Sequence, residues 1–230
     1  MRASGPPRAA IVDYGMGNLF SVKHACEFAG MRAEVTADAR QLLAADAVVL
    51  PGVGALGDAM EALRQRGLVA ALREVAASGK PLMGVCLGMQ LLMSESHEFG
   101  RHAGLGVIEG DVVRLPEARV DGRRVKVPNV GWQPVRAAGA AAGEPVPAWS
   151  GSPLATIKNG SFLYFVHSYV TQPADAGLAL STTPFADGEF CSSLARGNVF
   201  ACQFHPERSG AAGLGIYQAF AAAASRSTAQ

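Results

Sequence analysis

The chain has 230 residues, of which 49% are apolar and 17% charged, so it buries a real core and is not disordered. Its 20 basic and 19 acidic residues give a formal charge of +1, which argues against a nucleic-acid partner. Four cysteines without a CxxC pair argue against a disulfide framework, and no apolar run approaches the length of a bilayer span. We therefore expect a cytoplasmic protein with reduced thiols.

The first hundred residues alternate between strand-like and helix-like patterns. Short apolar runs predict strands at 9–12, 32–36, 47–50 and 81–86. Helical spacing predicts helices from residue 19, from Asp58 to Gly79, and over 87–94. This alternation predicts a parallel sheet with helices on both faces.

The second half is predicted to be rich in β-structure. Strand-like runs occupy 107–115, 124–127, 162–170, 178–182, 190–195 and 198–204, and a last helix is expected over 211–224. An Ala- and Gly-rich stretch at 137–152 predicts a mobile surface loop. We expect one domain over residues 9–224, a disordered tail at 1–8 and a loose tail at 225–230.

The sharpest local motif is GVCLG at residues 84–88, between an apolar strand and a predicted helix. A nucleophile elbow needs glycines on both sides of a tight strand-to-helix turn, which lifts the middle side chain, Cys86, clear of the sheet. The N–H of Leu87 would then face an oxyanion, and the helix start would stabilise a thiolate. The alternative is an inert buried cysteine that fills core space.

A second motif, QFHPE, follows the last predicted strand. In an extended segment His205 and Glu207 lie on the same side, so the carboxylate can fix the tautomer and direction of the imidazole. Alone, the pair is equally well a solvated His and Glu at a strand end. Together with Cys86, also at the carboxyl end of a predicted strand, it gives a nucleophile, its base and the residue that orients the base.

A third motif, PGVG at residues 51–54, follows the third predicted strand. Because glycines present backbone N–H groups without a side chain in the way, the loop formed by Gly52, Val53 and Gly54 is a candidate for the second oxyanion donor. Taken alone, it is better explained as an ordinary strand-to-helix turn.

Other ligand motifs are incomplete. The Gly15 and Gly17 pair resembles the start of a dinucleotide fingerprint, but Phe20 stands where the third glycine belongs. The histidines show no metal-ligand spacing with one another or with the cysteines. We therefore expect neither a cofactor nor a metal.

The elbow GVCLGMQLL, the distant HPE and the PGVG loop resemble the class I (triad) glutamine amidotransferases. The resemblance implies a three-layer, flavodoxin-like α/β fold with a central, mostly parallel sheet. It also implies that Cys86 attacks the side-chain amide of L-glutamine, that His205 protonates the departing ammonia, and that Glu207 holds the histidine. The residues implied to bind the substrate are Gln90, Glu98, Ser168 and Tyr169.

Within this family the chain is most similar to the glutaminase subunits of imidazole glycerol phosphate synthase, which act in histidine biosynthesis. The similarity is carried by DYGMGNLFSV at 13–22, VPNVGWQPV at 127–135, YFVHSYV at 164–170 and CQFHPERSG at 202–210. It implies a heterodimer with a (β/α)8 cyclase that receives the ammonia. The partner would bind near Asn18, Trp132 and Arg208.

Three residues depart from the pattern of these subunits. Asn129 and Gln133 replace a His and an Asn, and Arg208 replaces a Lys. These changes put contact details in doubt but leave the three catalytic candidates intact. Three alternatives stay open: a glutaminase subunit of another biosynthetic complex, a catalytically silent binding module of the same fold, and a free-standing cysteine hydrolase.

Overall fold

The computed structural model describes residues 5–120, 123–139 and 149–227 of the chain. The parallel sheet predicted from the sequence is formed by β1 (Arg8–Val12), β2 (Arg32–Thr36), β3 (Ala47–Gly52), β4 (Leu82–Cys86) and β15 (Val199–Cys202). These strands lie side by side in the order β2, β1, β3, β4, β15, and every neighbouring pair is parallel. The sheet therefore brings the carboxyl ends of β3, β4 and β15 together at one edge.

Helices cover both faces of this sheet. Along β1, Ala9 and Ile11 belong to one apolar cluster and Ala10 and Val12 to the other, as the two-residue period of a strand requires. The first cluster includes residues of α1 (Leu19–Phe28) and α6 (Gly210–Ser227). The second includes residues of α2 (Ala39–Ala44), α3 (Leu56–Gln65), α4 (Leu68–Ala77) and α5 (Leu87–Leu91). The predicted three-layer α/β fold is confirmed.

Mostly antiparallel strands extend the sheet beyond β15. The next strands, in spatial order, are β14 (Gly188–Arg196), β12 (Tyr169–Pro173), β7 (Ile108–Arg114), β5 (Met93–Ser96) and β6 (His102–Ala103). In the described part of this extension, only β5 and β7 pair in parallel. A branch from β14 consists of β13 (Ala179–Phe185), β10 (Asn129–Ala137) and β11 (Ser161–His167), while β8 (Arg119–Val120) pairs with β9 (Arg123–Arg124). The predicted β-rich second half is thus present.

Three predicted elements have different limits. The strand predicted over 162–170 is two strands, β11 and β12, because the chain leaves β10 at Ser168 and joins β7. The helix predicted from Asp58 to Gly79 is two helices, α3 and α4, separated by Gly67 at φ 67°. The helix predicted over 87–94 ends at Leu91 because β5 begins at Met93.

Part of each predicted tail lies in a regular element. At the C-terminal end, helix α6 includes residues 225–227. At the N-terminal end, β1 begins at Arg8, and the Pro7 carbonyl before it accepts a hydrogen bond from the Arg32 N–H at 2.9 Å. The strand predicted at 124–127 is reduced to the two residues of β9. Residues 1–4, 140–148 and 228–230 lie outside the described residues, and so does most of the predicted Ala/Gly loop. In the described part of the chain, no helix is both long and apolar enough to cross a membrane.

Candidate active site

Cys86 lies at a strained junction between β4 and α5. Its backbone has φ 55° and ψ −108°, a conformation that residues other than glycine rarely adopt. Gly84 and Gly88 allow the junction to pack: a Cβ on Gly84 would lie 2.9 Å from the Gly88 carbonyl oxygen, and one on Gly88 would lie 1.8 Å from the Leu50 carbonyl oxygen. The geometry is that of a nucleophile elbow, with the strain at the reactive side chain.

His205 and Glu207 form a buried ion pair next to the end of β15. His205 Nδ1 lies 2.7 Å from Glu207 Oε1, and the two side chains are 6% and 1% exposed. The pair is not made along an extended strand as expected, because Pro206–Arg208 is a single 3-10 turn that brings the two side chains together. Burial alone lowers the pKa of His205, but the hydrogen bonds and negative charges of Cys86 and Glu207 outweigh it and raise this pKa to about 10.

The imidazole of His205 lies near the thiol of Cys86. Nδ1 is engaged by Glu207, so Nε2 is the nitrogen that remains for Cys86. Cys86 is near enough to raise the pKa of His205, although Nε2 has no hydrogen-bond partner among the described residues. Catalytic hydrogen bonds are often loose before substrate binds, so this geometry fits a base poised for the thiol.

The PGVG loop lies directly beside the elbow. Gly52 is the register partner of Cys86 across β3 and β4, and a Cβ on Gly52 would lie 2.0 Å from the Tyr14 hydroxyl and 3.0 Å from the Leu87 Cβ. Gly54 has φ 114°, so the backbone turns there in a way that glycine alone adopts without strain. The start of the loop therefore packs directly against Leu87, the residue that follows Cys86.

The residues expected to bind substrate approach the same edge of the sheet from three elements. Gln90 on α5 donates a hydrogen bond from Nε2 to the Tyr169 carbonyl at 3.1 Å. The Ser168 carbonyl accepts from the Leu115 N–H at 2.8 Å, at the corner between β11 and β12. Gln90 and the 168–169 corner are thus joined by direct contact.

Glu98 is held differently from the other expected substrate residues. Its Oε2 accepts a hydrogen bond from the Leu56 N–H at 2.9 Å, at the start of α3. Burial raises the pKa of the Glu98 carboxyl despite this bond. One oxygen of the Glu98 carboxylate is therefore committed to the fold.

Comparison with known proteins decides the family. The class-I glutamine amidotransferase model matches residues 10–221. The chain belongs to the class-I glutamine amidotransferases. It is 46% identical over 217 residues, 93% of this chain and 96% of the relative, to the imidazole glycerol phosphate synthase subunit HisH of Rhodopirellula baltica. It is 47% identical over 92% of both chains to the HisH of Moorella thermoacetica.

Solved structures show the same fold at low identity. A crystal structure described as a glutamine amidotransferase superposes with a TM-score of 0.67 at 20% identity, covering 94% of this chain and 98% of that one. The PurLQS structure from Thermotoga maritima gives 0.67 at 20% identity, over 94% and 97% of the chains. The amidotransferase fold is thus shared, and the closer likeness in sequence is to the HisH subunits.

Three residues are expected at a partner interface: Asn18, Trp132 and Arg208. Asn18 caps α1, with its Oδ1 accepting from the Ser21 N–H at 3.3 Å. Trp132 is half exposed on β10, and its ring centroid is 6.2 Å from that of Tyr164 in an edge-on arrangement. The Arg208 guanidinium lies 4.4 Å from the centroid of the same Tyr164 ring. Tyr164, which sequence reasoning did not single out, therefore joins two of the expected interface residues.

His167 is the main site residue that sequence reasoning missed. It is buried, its Nδ1 donates to the Tyr169 carbonyl at 3.0 Å, and its Nε2 accepts from Asn129 Nδ2 at 3.1 Å. Burial, with a smaller contribution from the charge of His205, lowers the pKa of His167 to about 4 and keeps the ring neutral. Asn129 is therefore a buried support for His167. The signal available was the HSY sequence beside Tyr169.

One group of metal-ligating side chains lies away from the triad. Glu95, His97 and Asp111 each bring one ligand atom within 4.8 Å of the others. The two oxygens of Glu95 already accept hydrogen bonds from Arg101 at 2.8 and 3.1 Å. An ion here would therefore have to displace an existing arginine–carboxylate pair.

Proposed function

We propose that this protein is the glutaminase subunit of an imidazole glycerol phosphate synthase. It hydrolyses L-glutamine to glutamate and ammonia and passes the ammonia to a (β/α)8 cyclase partner that makes imidazole glycerol phosphate and AICAR. The observation that carries the proposal is the buried set of Cys86, His205 and Glu207 at one sheet edge. The near full-length likeness to HisH subunits supports the choice of this synthase over other amidotransferase complexes.

The reaction begins at the sulfur of Cys86. The thiolate forms a bond to the γ-amide carbon of glutamine, and the carbonyl π electrons move onto oxygen to give a tetrahedral oxyanion. The C–N bond then breaks, and the His205 imidazolium gives its proton to the leaving nitrogen, which departs as ammonia. The remaining product is a γ-glutamyl thioester on Cys86.

Water completes the cycle. Neutral His205 accepts a proton from water as the oxygen attacks the thioester carbon, and the C–S bond breaks to release glutamate and the thiolate. The Glu207 carboxylate lies against Nδ1, where it orients the ring and stabilises the imidazolium. No redox partner is needed.

The oxyanion is held by the Leu87 N–H and by an N–H of the loop formed by Gly52, Val53 and Gly54. Loss of one such donor typically raises the barrier by about 3 kcal/mol. We further propose that the peptide of this loop turns toward the oxyanion when the cyclase is occupied, which couples the two sites. The positive φ of Gly54 supports this assignment because glycine changes conformation there with little strain.

The cyclase would dock against the face that carries Asn18, Trp132 and Arg208. Half-exposed Trp132 and the stacked Arg208 are side chains of the types that are enriched in interfaces. Arg208 replaces a Lys, and its planar guanidinium suits the stack on Tyr164 better than an ammonium would. This contact supports a role for Arg208 on the partner side of the triad.

The test is glutamate release from L-glutamine, measured with and without a purified (β/α)8 cyclase subunit of this synthase. We expect turnover to rise when the cyclase is added, and Cys86→Ser to abolish it. Cys191→Ser, at a half-buried cysteine on β14, is the matched control and should keep full activity. Unchanged turnover in Cys86→Ser contradicts the nucleophile assignment, and a full rate without any partner favours a free-standing hydrolase.

A further inference from the structure

A line of two buried amides leads to the sulfur of Cys86. Gln90 Nε2 donates to the Tyr169 carbonyl at 3.1 Å and to Gln203 Oε1 at 3.0 Å. Gln203 Nε2 in turn donates to Cys86 Sγ at 3.5 Å. The Gln203 side chain is fully buried, so these are the contacts that satisfy it in the described part of the chain.

The direction of these hydrogen bonds is fixed from one end. A backbone carbonyl can only accept, so Gln90 must turn its NH2 group toward Tyr169. The same NH2 group then requires an acceptor on Gln203, which is Oε1. Gln203 is left with its NH2 group facing Cys86. Gln203 therefore presents a donor, and not an acceptor, to the sulfur.

We propose that Gln203 is a positioning residue that holds the Cys86 sulfur and stabilises it as a thiolate before glutamine binds. This inference rests on the proposed function, because it takes Cys86 as the nucleophile. A neutral donor suits this place because it stabilises a thiolate without adding a second cation beside His205. It also opposes the Val166 carbonyl, 4.0 Å from the sulfur, which favours the protonated thiol.

The other ionisable groups near the sulfur do not take this role. Tyr14 and Cys202 face Cys86 from the β1 end and from β15, and burial raises the pKa of each, so both are neutral near pH 7. Glu207 acts on the sulfur through His205, to which it is bonded. His205 supplies the positive charge, and Gln203 supplies the uncharged donor from another direction.

The test measures how the alkylation of Cys86 by iodoacetamide depends on pH. The modified peptide is followed by mass spectrometry, so that the three other cysteines do not contribute. Gln203→Met keeps a similar volume and removes the donor, and Gln203→Glu keeps the shape while placing a second oxygen toward the sulfur. Thr183→Val is the matched control, because it removes a buried hydroxyl that has no partner among the described residues.

We expect the midpoint of the rate profile, which belongs to the coupled Cys86–His205 pair, to rise by about one pH unit in Gln203→Met. The rise should be larger in Gln203→Glu and absent in Thr183→Val. At pH 7 both Gln203 variants should lower the kcat for glutamine about tenfold. The KM should change little, because Gln203 contacts the sulfur and, of the residues expected to bind substrate, only Gln90.

The outcomes separate this inference from the function on which it rests. Wild-type protein that alkylates at Cys86 and releases glutamate, with a Gln203→Met profile that does not move, overturns the role of Gln203 alone. Wild-type protein in which Cys86 is unreactive and glutamine is not cleaved overturns both. If Gln203→Met does not fold, as judged by circular dichroism, Gln203→Glu gives the same decision because it preserves the bond from Gln90.

Discussion

Replacing Glu207 with Gln tests whether the catalytic base depends on a buried charge. Glu207 is 1% exposed, its Oε1 is 2.7 Å from His205 Nδ1, and its Oε2 has no partner among the described residues. The variant keeps the shape and an oxygen that can accept from Nδ1. It loses the negative charge that, together with Cys86, raises the pKa of His205 to about 10.

The size of the effect follows from two contributions. A hydrogen bond to a charged group is worth about 1.5–3 kcal/mol, or roughly tenfold to a hundredfold in rate. The amide that Glu207→Gln introduces can take two orientations. If its NH2 group occupies the place of Oε2, a buried donor is left without a partner among the described residues, which costs about 1–3 kcal/mol. If its NH2 group faces Nδ1, that nitrogen must accept, and the proton moves to Nε2, where the base needs a free lone pair. We therefore expect the kcat of Glu207→Gln to fall about a thousandfold.

The pH profile gives the sign of the change. Without the carboxylate, the pKa of His205 falls from about 10, so the imidazolium loses its proton at a lower pH. The alkaline limb of the activity profile should move to lower pH in glutamate-release assays with the cyclase present. Glu117→Gln is the matched control, because Glu117 is exposed and pairs with Arg124 at the surface. If Glu207→Gln keeps half the wild-type rate and its alkaline limb does not move, the buried charge of Glu207 does not control the pKa of His205, which refutes this account of the base.

Further predictions concern the elbow, His167 and the partner face. Gly88→Ala should destabilise the fold by about 3 kcal/mol in urea and abolish turnover, because its Cβ would lie 1.8 Å from a backbone oxygen; Gly188→Ala, with 3.9 Å to its nearest atom, should change stability little. In the unfolded chain His167 takes up a proton below about pH 6.5, whereas in the folded protein its pKa is about 4. Acid therefore favours the unfolded state, and between pH 6.5 and 4 the free energy of unfolding of wild type should fall by about 3 kcal/mol more than that of His167→Gln. Arg208→Ala should weaken binding to the cyclase about tenfold in titration calorimetry, and unchanged affinity would remove it from the interface.

The sequence predicted the parallel half of the fold well because its strands are continuous apolar runs. Residues 47–50 and 81–86 are buried on both faces, so their composition alone identifies them, and the structure differs from the prediction by one or two residues at their ends. The proximity of Cys86 to His205 was predictable for a related reason. Carboxyl ends of parallel strands meet at one edge, so Cys86 after β4 and His205 after β15 had to lie close together.

The antiparallel half was harder to predict because its limits depend on which strand pairs with which. Nothing local marks Ser168 as a corner, yet the chain leaves β10 there and pairs with β7. Strand β10 carries Pro134 and Gly131, which obscure an alternating pattern, so its sequence does not predict a strand. The contacts of His167 and Gln203 were missed because their partners lie far away in sequence, Asn129 on β10 and Gln90 on α5.

Two of the departures from the HisH pattern are connected to each other in this fold. Asn129 and His167 are register partners across β10 and β11, and Gln133 Nε2 donates to Asn129 Oδ1 at 3.4 Å. The Tyr169 carbonyl accepts both from His167 Nδ1 and from Gln90 Nε2, so it joins this group to the amides that reach the sulfur. Asn129 can serve here because its amide supplies the donor that neutral His167 requires at Nε2. Asn129 and Gln133 thus belong to the same chain of hydrogen bonds that reaches the sulfur of Cys86 through Gln90 and Gln203.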